Sequence, residues 1–160
     1  MLLILLLIVP IISGWPNVRT GYDGQHCYQG KYTILLNGTF WCRGSPHRPS
    51  KLELWQYVGE GSGTKVDSNI QVVDNNKLYY NKTFSYKDTT QTLHVSLKVF
   101  HSCDFYGRPM CNHLYTLQIP DKFIYCNRTS GPFYHFTAEL SKSEAQSNGG
   151  CPDDSGMIII

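Results

Sequence analysis

The stretch Thr92–Cys103, TLHVSLKVFHSC, sets the fold class. Leu93, Val95, Leu97 and Val99 occupy alternate positions, with His94, Ser96 and Lys98 between them. Successive side chains of an extended chain point to opposite faces, so this stretch reads as a half-buried strand with one apolar and one polar face. The same pattern extends outward from it. Downstream, Asn112 to Ile119 aligns Tyr115, Leu117 and Ile119 and stops at Pro120-Asp121; Phe133 to Leu140 aligns Tyr134, Phe136, Ala138 and Leu140. Upstream, Leu52, Leu54 and Gln56 alternate with Glu53, Trp55 and Tyr57, and Leu78 to Tyr86 is a further strand. Turn-forming clusters separate these runs at Arg43–Pro49, Gly59–Gly63 and Asp74–Asn76. Only Ser141 to Ser147 admits a short helix. Several short strands broken by Gly, Pro and Asn turns predict an all-β sandwich.

The segment Lys31–Cys42, KYTILLNGTFWC, has two readings. Asn37-Gly38 between strand runs is a strong hairpin signal. The alternative is one long strand with a bulge at Gly38.

The ends read differently. Residues 1–14, MLLILLLIVPIISG, form an uncharged apolar run closing on small residues, the pattern of a secretory signal peptide. A membrane-spanning helix needs about 20 apolar residues, and Pro10 interrupts this shorter run. Residues 15–30 read as an irregular N-terminal arm tethered by Cys27, residues 31–141 as the sandwich, and residues 142–160 as a tail held by Cys151. A formal net charge of +2 makes no field strong enough to imply nucleic acid as a partner.

Six cysteines, Cys27, Cys42, Cys103, Cys111, Cys126 and Cys151, imply a disulfide framework in an exported chain. Three N-glycosylation sequons begin at Asn37, Asn81 and Asn127 and agree with a secreted, extracellular glycoprotein. Cys103 ends one strand and Cys111 begins the next. Paired strands bring Cα atoms within disulfide reach, so Cys103–Cys111 is the favoured pair; the other four stay open. His101, Cys103, Cys111 and His113 also form a quasi-symmetric zinc-type set, but thiols oxidise in the secretory pathway, which favours the disulfide. No nucleophile elbow, P-loop or His-Glu-x-x-His helix occurs, and His26, His47, His94, His101, His113 and His135 show no catalytic spacing. The expectation is no catalytic residue, no metal and no cofactor. Two aromatic pairs, Tyr79-Tyr80 and Phe105-Tyr106, read as partly buried residues at the sandwich edge, with a binding surface as the rival reading.

The order of motifs resembles the nematode transthyretin-like family of secreted proteins. The resemblance is carried by Gly38-Thr-Phe-Trp-Cys42 with Pro46 after it, Lys51-Leu-Glu-Leu-Trp55, Asp67, Asp74-Asn-Asn76-Lys-Leu78, His101-Ser-Cys103, Cys111, Ile119-Pro120, Glu139-Leu140 and Cys151. It covers Lys31 to Cys151. It implies a transthyretin-like, disulfide-stapled antiparallel sandwich of about seven or eight strands. It places Gly38 inside the first strand, which favours a single strand with a local bulge, and Asn37 is then modified only if it faces solvent. It places Asp67 in a loop. It puts Asn76 where the family has Gly, a left-handed position that Asn tolerates. Cys27 and Cys126 stand outside the family pattern; a bridge between them is the natural reading, though either can instead capture Cys42 or Cys151.

The functional expectation is a secreted, non-catalytic interaction module that binds an extracellular or cell-surface protein, or a lipid. One alternative is a carrier of a small hydrophobic ligand. The other is a hydrolase related to 5-hydroxyisourate hydrolases, whose Tyr-Arg-Gly-Ser motif this sequence lacks.

Overall fold

A computed structural model describes residues 26–28, 30–87, 89–103, 113–142 and 147–148. The signal-peptide segment, most of the arm, Phe105-Tyr106, Cys111, Cys151 and the centre of the expected Ser141–Ser147 helix lie outside the described residues.

The chain runs β1 (Lys31–Cys42), β2 (Ser45–Pro46), β3 (Lys51–Val58), β4 (Thr64–Asp67), β5 (Val72–Val73), β6 (Lys77–Ser85), β7 (Leu93–His101), β8 (His113–Gln118), a 3-10 turn (Asp121–Phe123), β9 (Ile124–Cys126), β10 (Tyr134–Glu139) and β11 (Ser147–Asn148). They form two sheets. The first has the order β10-β1-β6-β5, with β2 and β9 also paired to β1; the second has the order β11-β8-β7-β3-β4. Pairing is antiparallel except between β1 and β10, which run parallel. The two strands stand far apart in sequence, so no tight hairpin constrains their direction.

Alternation decides what each strand buries. Ile34, Leu36 and Phe40 from β1 and Leu78 and Tyr80 from β6 meet Leu52 and Leu54 from β3 and Leu93, Val95, Leu97 and Val99 from β7 in one core. At about 25 cal/mol per Å² of apolar area removed from water, this layer is the main driving force of folding.

β1 is one strand, and the bulge expected at Gly38 is absent. Its register runs unbroken from Lys31↔Ser85 to Thr39↔Lys77 against β6 and from Leu36↔Tyr134 to Trp41↔Glu139 against β10. Gly38 is needed for packing instead: a Cβ there would lie 2.1 Å from the Phe136 ring. The register shift falls elsewhere, between Leu54 and Trp55 in the β3–β4 pair.

Two polar ties cross the core. The Tyr32 hydroxyl on β1 donates to Gln56 Oε1 on β3 at 2.7 Å. Asp67 ends β4 rather than lying in a loop, and accepts from the Tyr80 hydroxyl at 2.7 Å and Lys82 Nζ at 2.9 Å, both on β6. Burial pushes the Asp67 carboxyl up, but the bonds from Lys82, Tyr80 and the Asn69 amide outweigh it and hold it below its ordinary value. The neighbouring turn departs from the family reading. Asp74 and Asn75 hold the left-handed backbone, at φ 47° and 65°, whereas Asn76 is buried and its Nδ2 donates to the Phe40 carbonyl.

The disulfides correct one expectation. Cys103 is bonded to Cys42, not to Cys111, with Cα atoms 5.7 Å apart. The reason is the strand's parity. Val99 and His101 lie on the buried face of β7, and Cys103, two residues on, follows them inward toward the first sheet, where β1 ends in Cys42. The bond therefore staples sheet to sheet, not strand to hairpin partner. Cys27 is bonded to Cys126, with Cα atoms 5.5 Å apart, and ties the arm to β9.

Candidate functional site

The two outer faces differ in kind. On the second sheet, β3 turns Lys51, Glu53, Trp55 and Tyr57 away from the core, and β7 does the same with His94, Ser96, Lys98 and Phe100. The register sets them opposite one another as Lys51↔Phe100, Glu53↔Lys98, Trp55↔Ser96 and Tyr57↔His94. Glu53 is the centre of this cluster. It faces outward yet is only 3% exposed, because its neighbours cover it. Lys51 Nζ lies 2.7 Å and Lys65 Nζ 3.2 Å from its Oε1, and Trp55 Nε1 donates to its Oε2 at 2.9 Å. Burial pushes the Glu53 carboxyl up, but the bonds from Lys51, Trp55 and Lys65 prevail and hold it below the ordinary carboxylate value. Lys98 Nζ sits 3.7 Å above the centre of the Trp55 ring, and Lys51 Nζ lies 5.5 Å from that of Phe100. Cation–π contacts of this kind fix the rings and leave part of each ammonium in water.

Two lysines thus hold one carboxylate, and a third sits on the indole that also bonds it. The arrangement is pre-ordered and carries excess positive charge, a combination suited to an anionic or aromatic-seeking partner. Beside it lies an open groove of about 450 Å³, lined by Tyr57, His94, Ser96, Thr116 and Gln118 and by the turn at Gly59–Gly61. The Ser96 hydroxyl at its base is buried with no hydrogen-bond partner.

The first sheet's outer face carries two of the three sequon asparagines. Asn37 lies on β1, opposite Tyr79 on one side and His135 on the other, and is half-buried; Asn81 lies on β6 and is exposed. Asn127, also exposed, directly follows β9 and has φ 52°. Asn37 and Asn81 therefore belong to the first sheet and Asn127 adjoins it, and among the described residues no sequon asparagine belongs to the second. The Tyr79-Tyr80 pair divides: Tyr80 is buried on Asp67, while Tyr79 points outward, is 63% exposed and stacks on Phe133 with ring centres 4.8 Å apart.

The zinc-type set is only half assembled. His101 and His113 are register partners with ring centres 5.6 Å apart, and His47 lies 6.4 Å from His101. Cys103, however, is in a disulfide, and the Cys103 amide donates to His101 Nδ1 at 3.3 Å. Among the described residues no group of three or more His, Cys, Asp or Glu is placed to hold a metal ion. His94 and His135 lie on opposite sheets, and His26 stacks on Tyr28 in the arm.

Sequence reasoning saw the alternation of Glu53, Trp55 and Tyr57, and of His94, Ser96 and Lys98. It missed that the two polar faces merge, because the β3–β7 register is long-range. Lys65 was missed with β4, a four-residue strand without an apolar stripe.

No family model, curated protein or solved structure matches the chain.

Proposed function

We propose that the protein is a secreted, non-catalytic interaction module of the transthyretin-like kind, which binds a cell-surface protein or lipid through the outer face of its second sheet. The observation that carries this reading is an asymmetry. Two sequon asparagines, Asn37 and Asn81, lie on the first sheet's outer face and the third, Asn127, follows its β9, whereas the Lys51–Glu53–Trp55–Lys65–Lys98 cluster lies on the second. A glycan excludes partners from the surface around it, so a chain modified on one sheet is left with the other for contact. Export is supported by the apolar leader and by two disulfides, which persist in oxidising compartments. The transthyretin-like reading is supported by the two-sheet core and by seven strands of four residues or more: β1, β3, β4, β6, β7, β8 and β10.

The lysines favour an anionic partner, either a phosphate-bearing membrane or an acidic protein patch. The test is to secrete the full chain from a eukaryotic host, then measure binding to vesicles of neutral lipid with and without anionic lipid, alongside capture of partners from extracellular fluid. Binding that weakens as salt rises is expected. No partner of either kind refutes the reading.

A further inference from the structure

Tyr79 is one of two large hydrophobic residues that the described chain leaves exposed, the other being Val73. Its surroundings set it apart. It shares β6 and its outward face with Asn81 and Thr83, the first and third residues of a sequon. Across the sheet it is the register partner of Asn37, the first residue of another sequon. Same-face neighbours on a strand stand about 7 Å apart, which is the reach of one sugar ring attached to an asparagine side chain. The Tyr79 ring is already held by Phe133, at 4.8 Å and an interplanar angle of 28°. The face thus offers a fixed aromatic plate beside an exposed attachment point. The carbon-bound hydrogens on one side of a pyranose are slightly positive and pack on the negative face of such a ring.

We infer that Tyr79, backed by Phe133, is the seat of the first N-acetylglucosamine carried by Asn81. The inference rests on the export reading above, since only a chain in the secretory pathway meets the modifying enzyme. In that step Asn81 Nδ2 displaces the pyrophosphate carrier of a lipid-linked oligosaccharide, loses a proton and gains a bond to the sugar's C1. Once attached, the sugar covers the exposed ring and closes the first sheet's outer face to partners. It converts an exposed hydrophobic side chain, a liability on a secreted protein, into a packing contact.

The experiment uses the full chain with Asn37→Gln and Thr129→Ala, so that Asn81 alone is modified, secreted from a host that adds high-mannose glycans. Melting temperature is measured on three forms: intact, trimmed enzymatically to a single N-acetylglucosamine, and fully deglycosylated. The trimmed form is expected to melt with the intact one, and the bare form about 3 °C lower. In a Tyr79→Thr version the three forms should melt together. The natural chain gives a second readout: the N-acetyl methyl proton of the Asn81 sugar should resonate upfield of its Asn127 counterpart, shifted by the ring. An equal loss on deglycosylation with and without Tyr79, or an unshifted methyl resonance, overturns the inference. So does glycan on Asn127 with Asn81 bare, which leaves export intact. Secreted chain without glycan at any sequon overturns the inference and leaves export intact, whereas failure of export overturns both.

Discussion

Replacing Cys103 with alanine tests the sheet-to-sheet staple, because the two candidate pairings leave different thiols behind. If Cys103 is bonded to Cys42, the Cys103→Ala chain carries a new free thiol at Cys42, at the end of β1. If it were bonded to Cys111, the new thiol would be Cys111. Alkylation of the secreted variant without reductant, followed by peptide mass spectrometry, reads the position directly and does not require the variant to be stable. The energetic consequence also differs. The Cys42–Cys103 bond spans 61 residues, and closing a loop of that length removes unfolded-chain entropy equal to about 4 kcal/mol. The short Cys103–Cys111 loop would give only about 2.5 kcal/mol on the same account. Marginal domains have about 5–15 kcal/mol in total, so the longer staple is a large share of it. Guanidinium unfolding of Cys42→Ala/Cys103→Ala should therefore show a strongly lowered midpoint. A labelled Cys111 in the single variant, or a double variant that unfolds with the wild type, would refute the reasoning.

Three further expectations follow from the packing and the charges. Gly38→Ala drives a methyl group into the Phe136 ring and should destabilise by about 1–3 kcal/mol, measured by denaturant unfolding; a neutral result would contradict the packing assigned to β1 and β10. Stability should fall on acidification. Asp67 and Glu53 are held below their ordinary values, and Glu139 is held at about 2, chiefly by the Ser141 hydroxyl and then by the Ser141, Arg43 and Gly44 amides. A carboxylate whose value is lower in the folded chain stabilises it above the unfolded value and loses that contribution as pH drops toward the folded one. Midpoints measured between pH 5 and pH 2 should thus decline, and Glu139→Gln should flatten the most acidic part of the curve. Finally, β8 and β11 pair His113 with Asn148, and Cys111 and Cys151 stand two and three residues beyond them in the chain. A non-reducing peptide map should show these two cysteines joined, and free thiols at both positions would contradict that.

What the sequence reveals and what it hides follow from the range of the interactions. The long strands were legible, because each has a face that must be apolar: Leu93, Val95, Leu97 and Val99 announce β7 without help from neighbours. β1 was harder, since Asn37-Gly38 is a turn signal locally, and only the ring of Phe136, about a hundred residues away, explains why a glycine stands mid-strand. β4, β5 and β9, at four, two and three residues, are too short to carry a period. The Cys103 partner was misjudged because proximity in sequence was taken for proximity in space; the inward parity of Val99, His101 and Cys103 pointed across the sandwich. Asp67 was expected in a loop, because a sequence does not show that Tyr80 and Lys82 converge on it. The Glu53 cluster belongs to the same class: each strand displays half of it, and the register joins the halves.

The most direct test of the interaction face is to compare cell-surface binding of the fluorescently labelled, secreted chain with that of two charge-reversed forms. Lys51→Glu/Lys98→Glu changes the second sheet's outer face. Lys77→Glu changes the first sheet, at an exposed residue paired with the exposed Asp74. Losing two cationic contacts at a partner's surface, at about 1 kcal/mol each, predicts at least a tenfold fall in binding for the double variant and little change for Lys77→Glu. Undiminished binding by the double variant, or an equal loss in both, would contradict the assignment of function to the second sheet.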